Sequence, residues 1–402
     1  MGRMMEVLGS TPDLVPKPRV ALLTNIPAPY RLPFFERLNQ LCRLNVLFDA
    51  LSEPNRQWVL KNGDLHFPYQ VLSGFMIPYM RRRNVKERRF QHFRYDLIPR
   101  LVGIRPDVVV SAEMGIRSLQ AEAYCRLTKT PLIIWWEGTS HTEGVRSKAK
   151  QFVRKYLVSR ATRFWTNGKE STALLQTYGA DLADIDPGMT GIDTMALSSE
   201  VNGHLSNRAH IRAQLEVNGL VLLFVGQFIE RKGIMNYLAA LDLVYRAGIR
   251  NWSLLFVGTG DLEAELQKWQ REHPDVRVKI TGFVQPRDMP QFFSAADIFV
   301  LPTLDDNWPL ATLEALVAGL PQLFSVYNGC TVDLLLPGIT GQQMDPKNVG
   351  EFAAMIKEWI KVPPPRLSFT QTAELVDYYS PAAMAQRGLV SLENAIKKQA
   401  GS

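Results

Sequence analysis

The amino-acid sequence predicts an α/β protein with two doubly wound domains, each built on a parallel sheet. Two series of short apolar runs, rich in β-branched and aromatic residues, alternate with longer stretches of helical periodicity. This alternation is typical of parallel sheets that are covered by helices on both faces. With 402 residues, 46% of them hydrophobic, the chain is long enough for two or three such domains.

The first series predicts a domain over residues 17–200, with strands that begin at Arg19, Leu44, Asp107, Pro131 and Arg163. The second series predicts a domain over residues 220–375, with strands that begin at Leu220, Trp252, Val276, Ile298 and Pro321. No short-period repeat accompanies these strands, which excludes solenoid architectures. The two series therefore repeat the same architecture, without a repeated sequence.

A polar stretch, residues 196–219, separates the two series and contains "SSEVNGHLSN". Its composition is that of a connector, and we expect a linker over residues 201–219. Near the end of the chain, "VPPPR" interrupts the pattern ahead of an amphipathic segment, Pro381 to Lys398, within residues 376–402. Periodicity alone leaves open on which domain this segment docks.

The formal net charge is +7 and the pI about 9.2, which suggests an anionic ligand, a lipid surface or nucleic acid. The excess lies between Arg81 and Arg105, where nine Lys or Arg accompany two Asp or Glu, and the rest of the chain balances at 37 of each. Apolar residues alternate with these cations, which favours contact with an anionic membrane or a lipid-linked acceptor. A solvated face or a patch for an acidic acceptor is the alternative, and no nucleic-acid reader motif accompanies the charge.

Three cysteines, widely spaced and never in a Cys-x-x-Cys pair, indicate neither a disulfide framework nor a zinc site. No apolar run approaches the roughly 20 residues that span a bilayer. The first 16 residues lack the apolar core of a signal peptide. We therefore expect a cytoplasmic protein whose membrane contact is at most peripheral.

In open parallel sheets, ligands lie beyond the carboxyl ends of the strands, so two such domains would enclose a cleft. The loop "GQFIERKG" carries Arg231 and Lys232 ahead of a glycine and suits a phosphate group. An ordinary surface pair of cations is equally compatible with it. The next loop, "GTGDLEAEL", lacks the third glycine of a dinucleotide fingerprint. "TGFVQ" offers Thr281 and Phe283 as a flat surface for a base, although such a phenylalanine is more often core.

The stretch "LDDNWPLATLEALVAGLP" places a glutamate inside an otherwise apolar helix. A helix that starts near Pro309 presents the free amides of Leu310 and Ala311, which form a natural anion site. Glu314 lies about 7.5 Å farther along the helix axis, within reach of ribose hydroxyls. The alternative is a solvent-facing glutamate near a helix start. The two aspartates before the turn would then reach the group beyond the phosphates.

In their order and spacing, "GQFIERKG", "VGTGDLEAEL", "ITGFVQ", "AADIFVLPT" and "DDNWPLATLEALVAGLP" resemble glycosyltransferase family 4. "SVYNGCTVDLLLPGITG" extends the match across the second domain, while "NIPAPYRLPFFERL" and "DPGMTGIDT" upstream match more loosely. The resemblance implies the GT-B fold, in which two Rossmann-like domains face each other across a cleft. It also implies a retaining transferase that binds a nucleotide sugar mainly through its second domain, and a C-terminal helix that packs back toward the first.

The resemblance assigns the donor site residue by residue. Lys232 matches the diphosphate-binding lysine, Glu314 the ribose-binding glutamate, and Asp306 stands where the family has a glutamate that touches the donor sugar. Gln227 stands where the family has an arginine, and Arg231 is the nearest candidate to supply that charge. We therefore nominate Lys232, Arg231, Asp306 and Glu314 as catalytic residues. The donor is expected to contact a further set: Gly226, Gln227, Gly258, Thr281, Phe283, Trp308, Leu310 and Ala311.

The acceptor side is expected in the first domain, in loops that follow predicted strands. The loop after the first strand resembles a flexible loop that the family places near the acceptor and the donor phosphates, and it carries Tyr30 and Arg31. Glu113 follows the third strand, and Glu137 and His141 follow the fourth. Some family members have a sugar-contacting histidine in this region. A solvated arginine and a bystander histidine are the plainer interpretations of Arg31 and His141.

These inferences predict a hexosyltransferase that moves a sugar, with retention, from a nucleotide donor to a hydroxyl acceptor. UDP-sugars are the first choice and GDP-mannose the second, and the N-terminal loop suggests bacterial polysaccharide or glycolipid assembly. We expect no metal or other cofactor, because the helix start explains the adjacent Asp305 and Asp306 better than metal chemistry does. No nucleic-acid partner is expected. A nucleotide-sugar epimerase or phosphorylase of the same fold, and a non-catalytic homologue, are the alternatives.

Overall fold

A computed structural model of the chain describes residues 17–54, 58, 63–82, 86–144 and 147–401. Its strands form a 7-stranded sheet, a 6-stranded sheet and a separate 2-stranded hairpin. The strands of the first domain are β1 (Arg19–Thr24), β2 (Arg43–Phe48), β3 (Tyr69–Val71), β4 (Gly74–Arg82), β5 (Lys86–Arg94), β6 (Val108–Ala112), β7 (Leu132–Trp136), β8 (Arg163–Thr166) and β9 (Ile185–Asp186). Those of the second are β10 (Leu220–Val225), β11 (Trp252–Val257), β12 (Arg277–Ile280), β13 (Ile298–Leu301), β14 (Gln322–Ser325) and β15 (Gly341–Met344).

Both large sheets are parallel. The first has the order β3-β2-β1-β6-β7-β8-β9 and the second β12-β11-β10-β13-β14-β15. The central strands are buried on both faces, as expected of sheets covered by helices on each side. The predicted fold class of two doubly wound domains is confirmed, and each of the ten predicted strands begins within one residue of its expected start.

Helices cover both sheets. In the first domain they are α1 (Leu32–Leu41), α2 (Leu97–Ile104), α3 (Ile116–Thr128), α4 (Ser140–Glu143), α5 (Lys148–Arg160) and α6 (Lys169–Thr177). The later ones are α7 (Thr194–Leu205), α8 (Arg208–Gln214), α9 (Ile234–Arg246), α10 (Glu263–Glu272), α11 (Pro290–Ala295), α12 (Leu310–Val317), α13 (Thr331–Leu334), α14 (Val349–Lys361), α15 (Phe369–Asp377) and α16 (Pro381–Ala400). Short 3₁₀ turns lie at Pro29–Arg31, Leu182–Asp184, Glu230–Lys232 and Pro286–Asp288.

The structure differs from the expected linker over residues 201–219. The end of α7 and the whole of α8 lie here, and Val201, Ile211 and Val217 are buried in the core of the second domain. Asp193 caps α7 by accepting a hydrogen bond from a backbone N–H of its first turn at 3.0 Å. The buried residues of α7 are Thr194, Ser198 and Val201, which share one face of the helix, so the polar average composition hid a buried face.

Three arginines hold α8 and the chain before α15 to the second domain. The Nε atoms of Arg208 and Arg212 each donate to a backbone carbonyl at the C-terminal end of α11 at 2.8 Å. Both guanidinium groups also bind Asp297, at 2.5 and 2.6 Å. Arg366 donates to carbonyls of the same helix end. These bonds satisfy acceptors that a helix end leaves without an intrahelical partner.

The C-terminal helix α16 packs on the first domain. Its buried residues Met384, Leu392 and Ala395 join the apolar cluster on one face of the first sheet. The Nε1 atom of Trp165, on β8, donates to Ser391 Oγ at 2.8 Å. The end of the chain therefore contributes to the core of the domain in which the chain begins.

The predicted basic segment contributes strand β5 and helix α2. Strand alternation places Phe75, Ile77 and Tyr79 on one face of the β4–β5 hairpin, and these side chains are 58%, 46% and 42% exposed. His92 and Arg94 lie on the opposite face and are buried. The hairpin therefore exposes Phe75 and Ile77 on one face, while Tyr79 on that face also lines the cavity between the domains and the opposite face carries His92 and Arg94. None of the helices in the described ranges combines the length and the hydropathy that a membrane-spanning segment requires.

We predict that Leu392→Ala lowers the free energy of unfolding by roughly 2–5 kcal/mol, because it removes a fully buried side chain and leaves a cavity. Urea unfolding followed by tryptophan fluorescence measures the change. Val390→Ala, on the exposed face of the same helix, is the control and should change the free energy by less than about 0.5 kcal/mol. Equal effects of the two variants would contradict the docking of α16.

Candidate active site

A cavity of ≈ 400 Å³ lies between the two domains, at the carboxyl ends of both sheets. Its charged and polar lining from the first domain includes Arg31, Asp49, Glu53, His92, Glu113, Arg117 and Glu137. From the second domain it includes Gln227, Arg231, Asp305, Asp306 and Asn307. The cavity therefore gathers part of the predicted site. The predicted residues outside its lining are Gly226, Lys232, Gly258, Thr281, Phe283, Trp308, Leu310, Ala311, Glu314 and His141.

Backbone hydrogen bonds join the loops that follow β10, β11 and β12. The N–H of Gly226 donates to Val257 O at 3.0 Å, and the N–H of Gly258 donates to Gly282 O at 3.0 Å. Gly258 has a φ of 143°, and a Cβ there would lie 1.9 Å from the carbonyl oxygen of Gly226. Only glycine therefore allows these loops to approach so closely.

Lys232, Arg231 and Asp306 form a largely buried ionic cluster. Lys232 Nζ donates to Asp306 Oδ2 at 2.5 Å, and Arg231 Nη1 donates to the same oxygen at 3.1 Å. Arg231 Nη1 also donates to the backbone oxygen of Asp305 at 2.7 Å. Burial lowers the pKa of Lys232. Burial opposes ionisation of Asp306, but the two cations outweigh it and hold the pKa of this carboxyl below its usual value.

The start of α12 carries two amides without acceptors. Pro309 has an extended backbone, and the helix begins at the next residue. The N–H of Thr312 donates to Pro309 O at 3.1 Å. In the described part of the chain, the N–H groups of Leu310 and Ala311 make no hydrogen bond. These amides and the helix dipole give this end of the helix affinity for an anion.

Glu314 is a partly buried carboxyl group with no hydrogen bond or ion pair from its side chain to any residue that the structure describes. Burial raises its pKa to about 7. A carboxylate in this position can accept hydrogen bonds from hydroxyl groups, which compensates the loss of water. The geometry is compatible with its predicted role at a ribose.

The other predicted donor residues fall into two groups. Phe283 is 40% exposed, so it does not occupy the core position that is commoner for such a residue. Thr281, two residues earlier on the same loop, is half-buried. Gln227 is exposed at the edge of the cavity. Trp308, in contrast, is buried beside Tyr379 and does not face the cavity. This placement differs from the predicted donor contact, because the large apolar ring packs into the core.

Trp308 instead takes part in a contact between the domains. Its Nε1 donates to Asp333 Oδ2 at 3.2 Å, and the backbone N–H of Lys169, at the start of α6, donates to Asp333 Oδ1 at 3.1 Å. A Cβ at Gly168 would lie 1.9 Å from Asp333 Oδ2. Burial raises the pKa of Asp333. One carboxyl group of the second domain therefore caps a helix of the first.

Arg31 is fixed within the first domain. Its Nη1 donates to Thr24 Oγ1 at 2.8 Å, its Nη2 pairs with Glu137, and its guanidinium lies 4.7 Å from the ring centroid of Trp135. Burial opposes its charge, but Glu137 outweighs that effect and raises the pKa of Arg31. Tyr30 lines the cavity next to it. Arg31 therefore lines the cavity as a buried cation paired with Glu137, and it is not the solvated arginine of the plainer interpretation.

Glu113 and His141 have distinctive positions at the cleft. Glu113 is exposed and has a φ of 66°, a left-handed conformation that costs a non-glycine residue about 1 kcal/mol or more. His141 is exposed, and its ring meets that of Tyr327 of the second domain edge-on at 5.7 Å between centroids. His141 therefore lies where the two domains touch.

Asp49, Glu53, His92 and Arg117 line the cavity and were missed by the sequence analysis. Asp49 follows β2 directly, so the rule that ligands lie beyond strand ends would have found it. His92 and Glu53 are brought together by the hairpin, and no local motif marks either of them.

The part of the chain that the structure describes contains no group of three or more His, Cys, Asp or Glu side chains placed to hold a metal ion. An Asp-x-Asp sequence does occur, at Asp184 and Asp186, and these carboxylates bind Arg163 and Lys398. The three cysteines are buried and unpaired.

Residues 207–376 match the family model described as Glycosyl transferases group 1. This range begins ahead of α8 and includes the loops that follow β10 to β14. The second domain is therefore a group 1 glycosyl transferase domain.

Among curated proteins, a UDP-Gal:alpha-D-GlcNAc-diphosphoundecaprenol alpha-1,3-galactosyltransferase of Escherichia coli is 24% identical over 211 residues, 51% of this chain and 54% of that protein. A 2-deoxystreptamine glucosyltransferase of Streptomyces kanamyceticus is 26% identical over 186 residues, 45% of this chain and 47% of that protein. The chain thus spans about half the length of these relatives. Among solved structures, Anabaena HepE in complex with UDP has a TM-score of 0.72 at 16% identity, over 93% of this chain and 99% of that one. The chain shares the GT-B fold.

We predict that Glu314→Gln makes the protein more stable than the wild type at pH 8 and of similar stability near pH 4.5. The pKa of Glu314 rises from 4.5 to about 7 on folding, so the wild type loses stability as the pH rises through this window. The difference should be on the order of 1–3 kcal/mol above pH 7.

Thermal unfolding across this pH range measures the difference. Glu393→Gln, at an exposed position on α16, is the matched control and should track the wild type at every pH. A variant of Glu314 that also tracks the wild type would show that the carboxyl group is not strained by burial.

Proposed function

We propose that this chain, whose second domain is a group 1 glycosyl transferase domain, moves a sugar from a nucleoside-diphosphate sugar to a hydroxyl group of an acceptor, with retention at the anomeric carbon. The observation that carries the proposal is the position of the Lys232–Arg231–Asp306 cluster and the start of α12 on neighbouring loops of one sheet edge. This edge offers cations and free amides to a diphosphate, and Glu314 to a ribose.

The cluster and the helix start supply complementary contacts for a diphosphate. An ammonium group has three donors, and Asp306 occupies one of those of Lys232. The others can serve phosphate oxygens, as can the amides of Leu310 and Ala311. Phe283 offers an exposed ring to a base beyond the ribose. We assign the donor to this edge on these contacts.

In the proposed reaction the bond between the anomeric carbon and the donor phosphate breaks, and a bond from that carbon to the acceptor oxygen forms on the same face. The departing phosphate takes the proton of the acceptor hydroxyl, so no protein nucleophile is required. Lys232, Arg231 and the helix amides stabilise the charge that develops on the leaving group. Since these groups provide the positive charge, we propose that the transfer is independent of metal ions.

UDP-sugars are the proposed donors, with GDP-mannose second, since HepE was crystallised with UDP and the Escherichia coli relative uses UDP-Gal. We propose an acceptor in bacterial polysaccharide or glycolipid assembly. The name of the same relative, whose acceptor carries diphosphoundecaprenol, supports a lipid-linked acceptor.

We predict that Lys232→Ala weakens UDP binding by about 10-fold to 100-fold, because it removes a charged hydrogen-bond donor. Turnover of a UDP-sugar should fall by about 10²-fold or more, as for removal of one leaving-group donor. Calorimetry with UDP and GDP, and release of nucleoside diphosphate from a panel of donors, measure the two effects. Lys268→Ala, at an exposed position on α10, is the matched control.

Unfolding of the Lys232 variant must be followed in parallel, because Asp306 loses one of its two partners, and Lys232→Arg restores the charge. Assays with and without chelator test metal independence, and assays with and without acceptor extract separate a transferase from an epimerase or a phosphorylase. Binding without any turnover would favour a non-catalytic homologue. Unchanged UDP affinity in Lys232→Ala would contradict the proposed donor site.

We also propose that the outer face of the hairpin contacts an anionic membrane. Phe75 and Ile77 are exposed apolar side chains of the hairpin, and the sequence around the hairpin is rich in arginine and lysine. Apolar side chains beside cations suit a surface of acyl chains and acidic headgroups.

We predict that Ile77→Glu lowers the fraction of protein that floats with vesicles of phosphatidylglycerol and phosphatidylcholine by at least about tenfold, because it places a carboxylate on the apolar face. Val390→Glu, at a similarly exposed position on α16, is the control and should leave flotation unchanged. Vesicles of phosphatidylcholine alone should bind weakly. Equal binding of the two variants would contradict the assignment of the surface.

A further inference from the structure

A chain of polar side chains forms the first-domain wall of the cavity. His92 Nε2 lies 3.0 Å from Glu53 Oε1, and Arg94 Nη2 lies 2.8 Å from His92 Nδ1. Arg94 Nε lies 3.9 Å from Asp49 Oδ1, and Arg117 pairs with the other oxygen of Asp49. All five side chains are buried or nearly so, and four of them line the cavity.

The partners of His92 determine its tautomer. A guanidinium group donates hydrogen bonds and never accepts them, so Nδ1 of His92 is the acceptor for Arg94. The proton of the neutral ring is then on Nε2, which donates to Glu53. The arginine therefore orients the ring, and the ring fixes one oxygen of the glutamate.

Glu53 is a buried carboxylate without a cationic partner. In the described ranges it forms no ion pair with lysine or arginine, and its hydrogen-bond partner is His92. The nearby guanidinium groups of Arg31 and Arg117 are paired with Glu137 and Asp49. A buried carboxylate gains most from additional donors, and hydroxyl groups supply them without bringing a second negative charge.

The hairpin makes this arrangement possible. His92 and Arg94 lie on its inner face, and Gln120 of α3 donates to the backbone oxygen of Arg94 at 2.8 Å. Ser73 N–H donates to Asp96 Oδ1 at 2.8 Å, which closes the base of the hairpin. Glu53 comes from the loop after β2. Two distant segments of the first domain thus meet at one point of the cavity.

We infer that Glu53, held by His92, binds ring hydroxyl groups of the acceptor and that its negative charge excludes an acceptor ring that carries phosphate or carboxylate. The acceptor moiety inside the cavity is therefore an uncharged polyol, a sugar or a cyclitol. The inference rests on the proposed function, since it assigns specificity to the acceptor side of that site. Glu53 is a specificity-determining residue and the His92–Arg94 pair positions it.

The variant Glu53→Gln removes the charge but keeps an oxygen that can accept from His92. Saturation-transfer NMR with octyl glucoside and myo-inositol, and with glucose 6-phosphate and glucuronate, measures binding with and without UDP. In the wild type we expect the neutral probes to bind at least about tenfold more tightly than the anionic ones. In Glu53→Gln the neutral probes should bind about tenfold more weakly, and the ratio between the classes should approach one.

Glu53→Asp keeps the charge, so this variant should still exclude the anionic probes. A merely structural role of Glu53 would not predict that the exclusion follows the charge. Glu200→Gln, at an exposed position on α7, is the control. An unchanged ratio between the two classes of probe in Glu53→Gln would overturn the inference. So would a wild type that binds anionic and neutral probes with equal affinity, or one that binds no neutral probe. Calorimetry with UDP tests the proposed function separately, because Glu53→Gln should leave UDP affinity unchanged.

Discussion

A buried lysine that keeps its charge needs a carboxylate beside it, and this requirement organises one edge of the second domain. Lys232 follows β10 and Asp306 follows β13, and these two strands are neighbours in the sheet. The backbone oxygen of Arg231 accepts from Leu304 N–H at 2.8 Å, so the two loops are joined by main chain as well as by charge. Gly233 permits the approach, because a Cβ there would lie 1.8 Å from the carbonyl oxygen of Pro302. The cations therefore stand at a fixed place relative to the turn that leads into α12.

The same turn links the proposed donor site to the first domain. Trp308 lies two residues before the free amides of α12, and its ring nitrogen binds Asp333, which also caps α6. A relative movement of the domains must break or carry along this carboxyl group. The position of the start of α12 and the closure of the cleft are consequently coupled through the side chain of Asp333. Closure that excludes water would protect a nucleotide sugar from hydrolysis.

The sequence predicted the strands of both sheets because parallel strands buried on both faces read as continuous apolar runs. It did not predict β3, the hairpin, β9 or β15, which are short or exposed and lack that signal. Arg231 and Lys232 after β10 and Asp306 after β13 were found because only a few loops follow strands, and charged residues in those loops are easy to recognise in the sequence. Trp308 shows the limit of this approach, since a motif position does not reveal whether a ring faces a ligand or the core. Glu53 and His92 show a second limit, because they are far apart in the sequence and only the tertiary structure brings them together.

The β4–β5 hairpin presents different side chains to the solvent and to the cavity. Alternation along β4 and β5 turns Phe75 and Ile77 outward and His92 and Arg94 inward, toward Glu53 and Asp49. The sequence of its strand ends is basic, so the proposed membrane contact would hold a phosphate attached to a lipid at the outside of the first domain. In the proposed acceptor subsite, Glu53 repels that phosphate and binds hydroxyl groups. A lipid-linked glycan would therefore enter with its sugar first and leave its anionic link at the surface, which is the orientation that a transfer to a sugar hydroxyl requires.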